Sequence, residues 1–324
     1  MKILFDLQGG DHAPEALLEG ARRAKEELGI TPVFAGSESQ RELLTSEEAP
    51  DYLVTGSVIE NTEEPAMAIR RKKDSSIVLG MKALKEGAVD GMISAGSTGA
   101  LLAGGIFILG RIHKQVRPCL PVIIPHGRGS TILLDAGANM DTTPEMLLDF
   151  AKMAHSYAKV VLDKDPEELK VGLLNVGAEE GKGDRRSQET YQLLKESSLP
   201  FHGNVEARDI FLGECDILVT DGFPGNILLK TVEGTAGFLY HLLERSLKES
   251  GLSVEEMQKF ALVMKRALSP LDASNQGGVM LLGLKKPVIK AHGSSNGKAI
   301  FSAAEEMVRI IEGNVIPSME DEQL

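Results

Sequence analysis

Six short stretches of this chain pair glycine with Asp, Asn, Ser, Thr or Lys: DLQGGDHAP (Asp6–Pro14), SAGSTGALLAGG (Ser94–Gly105), DAGANMD (Asp135–Asp141), NVGAEEGKGD (Asn175–Asp184), DGFPGN (Asp221–Asn226) and HGSSNGKA (His292–Ala299). Glycine lets backbone N–H groups turn toward a ligand, and a helix that begins at such a turn favours an anion. Gly9, Gly10 and Asp11 form the first turn. In the second, Ser97 or Thr98 caps a helix and Gly99 allows close approach. Ser294, Ser295 and Asn296 repeat that logic near the C-terminus, and Asn139 sits in the third stretch. Pro224 suits a first helical turn and would aim Asn226 at a site. Lys182 lies between Gly181 and Gly183, a cation on a pliable backbone. One loop of this kind is as readily a turn or a cap as a site. Six of them point to a small-anion site, with phosphate the anion of choice.

Nothing in the chain reads as a nucleophile. There is no GxSxG elbow. Cys119 and Cys215 both sit among apolar neighbours, as buried reduced thiols do, and form no CxxC pair that would hold zinc. His12 and His292 stand at strand ends without any metal-binding spacing, each open to a capping or a catalytic role. Asp6, Asp11, Asp135, Asp141 and Asp221 could hold Mg²⁺ or serve as hydrogen-bond anchors; we expect no metal and no cofactor. A site rich in anion donors but without a nucleophile implies that the anion itself reacts. Phosphate is competent against a thioester. The protein must then hold it near the carbonyl and stabilise the developing oxyanion.

Such a site needs strands that end together. Apolar runs at Lys2–Leu7, Pro32–Ala35, Tyr52–Thr55, Gly91–Ser94, Leu120–Ile124, Thr131–Asp135, Lys170–Asn175, Ile217–Asp221 and Val288–Ala291 show little polar alternation, as strands buried on both faces do. Helical patterns fill the gaps: Ala13–Leu28, Ser75–Glu86, Thr98–Gly110, Pro144–Leu162, Gln188–Glu196, Pro224–Glu249, Ser253–Leu268 and Gly297–Glu312. The alternation predicts a three-layer α/β/α fold with a largely parallel sheet, with ligands at the carboxyl ends of its strands. We expect one catalytic domain over residues 1–324, with a helical hairpin at 224–268 projecting from it. Ser253 and Glu256 form a capping box for the second hairpin helix, on which Met257, Phe260, Ala261, Met264 and Leu268 share a face. Ser318–Leu324 is acidic and expected to fray.

The 324 residues carry a net charge of −12, which argues against nucleic-acid binding. The opening MKILFDLQGGD is too short and too polar for a signal peptide, and no run of apolar residues would span a bilayer, so a cytoplasmic protein is expected.

The chain resembles the bacterial phosphate acyltransferase family of phospholipid synthesis (PlsX). The resemblance spans nearly its whole length, through GGDHAP (Gly9–Pro14), RRKKDSS (Arg70–Ser76), SAGSTGALLAG (Ser94–Gly104), LLDAGAN (Leu133–Asn139), VGLLNVGAEEGKG (Val171–Gly183), GNVEARD (Gly203–Asp209), DGFPGNILLKTVEG (Asp221–Gly234) and IKAHGSSNGKAI (Ile289–Ile300). It implies the reaction of an acyl carrier protein thioester with inorganic phosphate to give acyl phosphate and free carrier protein. It also implies a homodimer, peripheral attachment to the membrane, and a fold related to phosphotransacetylase and the isocitrate/isopropylmalate dehydrogenases. Lys182, Asn226, His292 and the Ser97–Thr98 loop are then the expected phosphate or oxyanion contacts, with Asp6, Asp11 and Asn204 orienting them. The chain departs from the family pattern at Ser97, where the family has Asn. It departs again at NQGGVMLLG (Asn275–Gly283), where the family reads YGGAPLLG, so the acyl-chain preference stays open.

An acidic carrier protein needs a basic patch on an acidic enzyme. Arg70 and Arg71, or Lys259, Lys265 and Arg266 on the second hairpin helix, supply candidates; each is also an ordinary solvated face. Leu252, Val254 and Met257 at the hairpin tip suit either a bilayer interface or dimer packing. The rival readings are a phosphotransacetylase acting on small acyl-CoA, a metal-dependent decarboxylating dehydrogenase, and a non-catalytic membrane scaffold.

Overall fold

The computed structural model describes residues 1–268 and 277–322. Its strands are β1 (Lys2–Asp6), β2 (Thr31–Gly36), β3 (Leu53–Val54), β4 (Gly91–Ser94), β5 (Val122–His126), β6 (Gly129–Leu134), β7 (Val171–Asn175), β8 (Phe201–Glu206), β9 (Ile217–Val219), β10 (Gly278–Met280) and β11 (Val288–Ala291). The α-helices are α1 (Glu15–Leu28), α2 (Glu38–Arg41), α3 (Pro65–Arg71), α4 (Ser76–Glu86), α5 (Thr98–Gly104), α6 (Pro144–Val161), α7 (Arg185–Glu196), α8 (Gly222–Glu249), α9 (Val254–Leu268), α10 (Gly297–Glu312) and α11 (Val315–Asp321).

The strands form two sheets. The first runs β10-β11-β4-β1-β2-β3 and the second β5-β6-β9-β7-β8. Both are parallel except at one edge, where β10 pairs antiparallel with β11 and β5 with β6. Strand periodicity distributes the core. Ile3 and Phe5 of β1 face a layer shared with Ile132, Leu134, Ile217 and Val219 of the second sheet, filled by α1, α6 and α10. Leu4 faces the other way, against α3, α4 and α5. Leu133 and Leu218 face out toward the start of α8. The α/β/α layering therefore holds for each sheet, and the two share their middle helices.

The expected strands all form, shifted by a few residues at their ends; β8 and β10 were not expected. The long helix anticipated over Thr98–Gly110 ends as α at Gly104 and continues as one π-helical turn, Gly105–Leu109. The C-terminus is corrected: residues through Asp321 form α11, which buries Val315 and Met319 against the core, so the acidic tail is held by apolar contacts its composition conceals. The helical hairpin is present as α8 and α9. Its capping box forms as expected: the Ser253 N–H donates to Glu256 Oε2 at 2.9 Å, and the Glu256 N–H to Ser253 Oγ at 3.4 Å. On α9 Met257, Met264 and Leu268 are half-buried, whereas Phe260 and Ala261 are exposed. No described helix is long and apolar enough to cross a membrane.

Candidate active site

Three loops of the first sheet pack edge to edge, and glycine makes that possible. A Cβ on Gly9 would lie 2.4 Å from the backbone nitrogen of Gly96, so only glycine lets the β1–α1 and β4–α5 loops touch there. The Asp11 N–H then donates to the Gly293 carbonyl at 2.7 Å, tying in the β11–α10 loop. The second sheet is brought up the same way. A Cβ on Gly225 would lie 2.0 Å from the Asp135 carbonyl, so the first turn of α8 rests directly on the loop after β6.

Between these loops opens a cleft of about 560 Å³. Asp11, Gly96, Thr98, Lys290 and His292 line it from the first sheet. The second sheet contributes Val122 to Pro125 of β5, Gly137, and the α8 face bearing Asn226, Leu229, Lys230 and Glu233, whose spacing places them along one side of the helix. A second, more apolar cavity of about 490 Å³ lies on the other side of α8, against Leu173, Arg186 and Asp221.

The buried acids hold this architecture together. Asp135 accepts from the backbone of Leu120, Gly137, Ala138 and Asn139 and from Asn139 Nδ2, at 2.6–3.3 Å. Burial still pushes its pKa up, against those donors. Asp221 caps α8 through the Phe223 N–H at 2.9 Å and receives the Thr142 N–H, the Thr142 hydroxyl and Arg186 at 2.8–2.9 Å. Burial works to raise its pKa, but those donors together with Arg186 bring it below the usual value. Asp6 is buried; it accepts from Ser94 Oγ at 2.7 Å and the Gln8 N–H at 3.0 Å. Burial raises its pKa. Each carboxylate spends its lone pairs on loop donors, the anchor role, and no cluster of acids, histidines or cysteines among the described residues could hold a metal ion.

His292 is the polar group best placed to act. Its Nδ1 accepts the Ser294 N–H at 3.2 Å and lies 2.8 Å from Ser294 Oγ. A backbone N–H only donates, so Nδ1 is the acceptor and Nε2 carries the proton of the neutral ring. Burial, then the neighbouring Lys290, lowers the ring's pKa and keeps it neutral. The cleft thus holds a neutral N–H donor.

The remaining expected residues divide by location. Asp11, Thr98, Asn226 and His292 line the cleft together. Gly9, Gly10, Ser97 and Gly99 stand just behind it: Ser97 caps α5, its Oγ accepting the Ala100 N–H at 3.4 Å. Asn296 caps α10 in the same way, at 3.0 Å from the Ala299 nitrogen. Ser295 is buried, and its hydroxyl is the one buried side-chain polar atom without a partner among the described residues. Two asparagines lie outside the lining of the cleft. Asn139 spends its amide donors on the Pro118 carbonyl and Asp135, both at 2.9 Å, and supports the loop. Asn204 lies on β8, its Nδ2 donating to the Glu179 carbonyl and its Oδ1 accepting from Asn175. Asp6 lies behind the cleft wall, where it accepts from Ser94 and Gln8. Lys182 lies outside the lining of this cleft; its half-exposed ammonium is 3.9 Å from Glu179.

Lys290 was not singled out by its sequence context. Its Nζ donates to the Ala95 carbonyl at 3.1 Å and to the Ala291 carbonyl, and burial lowers its pKa to about 8 against the opposing pull of Asp6 and Asp11. The only signal in the sequence was a lysine inside a strand that otherwise reads as fully buried.

The chain matches the family model described as "Fatty acid synthesis protein" over residues 1–318. It is 44% identical to a phosphate acyltransferase from Thermoanaerobacterium thermosaccharolyticum over 99% of this chain and 96% of that one. It is also 44% identical to a phosphate acyltransferase from Bacillus cereus, over 98% and 97% of the two chains. Among solved structures it is similar to a phosphotransacetylase from Staphylococcus aureus, with a TM-score of 0.60, 17% identity, and 96% and 94% coverage. A branched-chain phosphotransacylase from Enterococcus faecalis aligns with a TM-score of 0.58, 16% identity, and 96% and 99% coverage. At these identities the structural likenesses speak for the fold.

Proposed function

The chain belongs to the fatty acid synthesis protein family of phosphate acyltransferases, and on that premise we propose that it moves a long-chain acyl group from an acyl carrier protein thioester to inorganic phosphate, in phospholipid synthesis. The observation that carries this reading is the cleft itself. It joins a neutral His292 donor, the Asn226 amide and a half-buried cation, while the only hydroxyl among its described lining residues is Thr98 and both cysteines are buried elsewhere with their pKa values pushed up by burial. A cleft with donors and no activated nucleophile suits direct attack by a bound anion. A phosphate oxygen adds to the thioester carbon. The tetrahedral oxyanion takes hydrogen bonds from His292 Nε2–H and Asn226. Collapse breaks the C–S bond, giving acyl phosphate and the carrier thiolate, which takes up a proton from water.

The test is to incubate the protein with a long-chain acyl carrier protein, with and without phosphate, and to trap acyl phosphate with hydroxylamine. Hydroxamate and free thiol should appear only with phosphate; their absence removes the reading. Equal turnover of small acyl-CoA would instead favour a phosphotransacetylase. We infer that carrier protein docks at Arg70 and Arg71, which are exposed at the end of α3, where the Arg70 guanidinium lies 5.5 Å from the Phe107 ring. On the rival patch Lys259 is already paired with Glu255 at 2.7 Å, while Lys265 and Arg266 are exposed. Reversing Arg70 and Arg71 to Glu should raise the KM for carrier thioester; an unchanged KM moves docking to α9.

The α8–α9 hairpin leaves Phe238, Leu239, Leu242, Leu243, Phe260, Leu262 and Val263 exposed, more apolar surface than a solvated hairpin carries. We place a second copy of the chain over it, with the tip residues Leu252, Val254 and Met257 at the membrane surface of the cytoplasm. Val254 is 67% exposed, whereas Leu252 and Met257 are half-buried. A Leu252→Glu/Val254→Glu variant should remain a dimer by light scattering yet fail to sediment with anionic lipid vesicles. Undiminished sedimentation rejects the membrane role of the tip, and a monomeric wild type rejects the dimer.

A further inference from the structure

We propose that Lys290 is the cation that holds inorganic phosphate in the cleft. This rests on the reading of the cleft as a phosphate acyltransfer site and names the group that recognises the anion there. Two lysines line the cleft. Lys230 is committed to Glu233 one turn along α8, with Nζ and Oε2 2.7 Å apart. Lys290 has no ion pair within reach among the described residues. Two of its three N–H donors go to the carbonyls of Ala95 and Ala291. The third, and the net positive charge, remain at the cleft wall beside Thr98, Gly96 and His292.

Placing an ammonium in a parallel sheet is costly unless something uses it. Val288, Ile289 and Ala291 around it are fully buried, so Lys290 is the one charged side chain of this strand. The structure keeps the charge protonated with two carbonyls and with the fields of Asp6 and Asp11, without neutralising it through a direct salt bridge. Partial burial nonetheless carries its pKa down to about 8, against the pull of Asp6 and Asp11. Among the described residues the remaining charged groups facing the cleft are Asp11 and the Lys230–Glu233 pair, and the neighbouring His292 ring is neutral. A phosphate dianion therefore finds in Lys290 the one described cleft cation that no direct ion pair occupies, on the same wall as the proposed oxyanion donor, with the Asp11 carboxylate facing the same space. Lys182, the cation that stood out in the sequence, is outside this wall and faces Glu179.

The test measures phosphate binding separately from turnover. By calorimetric titration with inorganic phosphate, Lys290→Met should weaken binding at least about tenfold, as expected for the loss of a charge-assisted hydrogen bond. The KM for phosphate should rise in proportion, while the KM for acyl thioester stays within about twofold. A merely structural lysine would lower thermal stability without this split. Should Lys290→Met fail to fold, the Asp6→Asn/Lys290→Met pair, which removes both buried charges together, carries the same measurement. Phosphate affinity within about twofold of wild type overturns the proposal, as does a tenfold loss in Lys182→Met without one at Lys290. Wild type that binds phosphate but makes no acyl phosphate would remove the functional reading and leave the Lys290 site standing; wild type that binds no phosphate removes the site.

Discussion

Replacing His292 by Phe is expected to lower kcat by about 10²–10³-fold, the loss found when one preorganised oxyanion donor is removed. The physical reason lies in its tautomer. The Ser294 N–H occupies Nδ1 at 3.2 Å, so the single ring proton sits on Nε2. That donor is fixed before substrate arrives, and the lowered pKa keeps the ring neutral, so no reorientation is needed as charge develops on the carbonyl oxygen. Phe retains the ring's bulk without a donor. Because His292 stands partly exposed at the cleft wall, stability should change little. Phosphate affinity should also change little, since the positive charge is assigned to Lys290. Steady-state rates with saturating phosphate, paired with phosphate titration, check both. A kcat within about threefold of wild type would assign the oxyanion to Asn226 or to backbone N–H groups instead.

The second large effect concerns stability. Glu306 of α10 and Tyr157 of α6 are both buried in the layer shared by the two sheets, and the Tyr157 hydroxyl donates to Glu306 Oε1. Burial raises the Glu306 pKa from 4.5 to about 7, against the help of Tyr157, Arg309 and the Met280 backbone. The folded chain therefore keeps a proton between pH 4.5 and about 7 that the unfolded chain has released. Stability falls as pH rises through that window and levels off above it, because the native state binds more protons. A rise from 4.5 to about 7 corresponds to about 3 kcal/mol. Glu306→Gln keeps an acceptor for the Tyr157 hydroxyl but cannot ionise. Relative to wild type, it should gain about 3 kcal/mol between pH 4.5 and pH 8 in urea melts. Parallel pH profiles for the two proteins would show that the carboxyl is not held neutral by the fold.

Much of this was readable from residue order. Strands buried on both faces announce themselves as unbroken Val/Ile/Leu runs, so β1, β4, β9 and β11 were found within a few residues. The strand β8 was missed because FHGNVE mixes His202, Gly203 and Asn204 into an edge strand, where one side needs no apolar cover. The departure at Asn275 and Gln276 lies outside the described residues. The cap at Ser253 was legible, and those at Ser97 and Asn296 to within a residue or two, because capping is settled within one helical turn, among neighbours in sequence.

The six polar glycine loops at strand ends were also legible. Which loops meet was not. The two-sheet division puts His292 and Asn226 in one cleft and leaves Lys182 and Asn204 outside it. Asp6, Asp135 and Asp221 looked interchangeable with metal ligands until the donors that converge on each were in place. Lys290 looked like any lysine in a short strand; it is held at the cleft wall only when the β4–α5 loop brings the Ala95 carbonyl to within 3.1 Å. Local periodicity and capping are written in neighbouring residues, so the order of amino acids determines the elements and their loops. Burial, proton position and charge compensation depend on groups far apart in the chain, so the chemistry of each side chain is decided only by the packing of the two sheets.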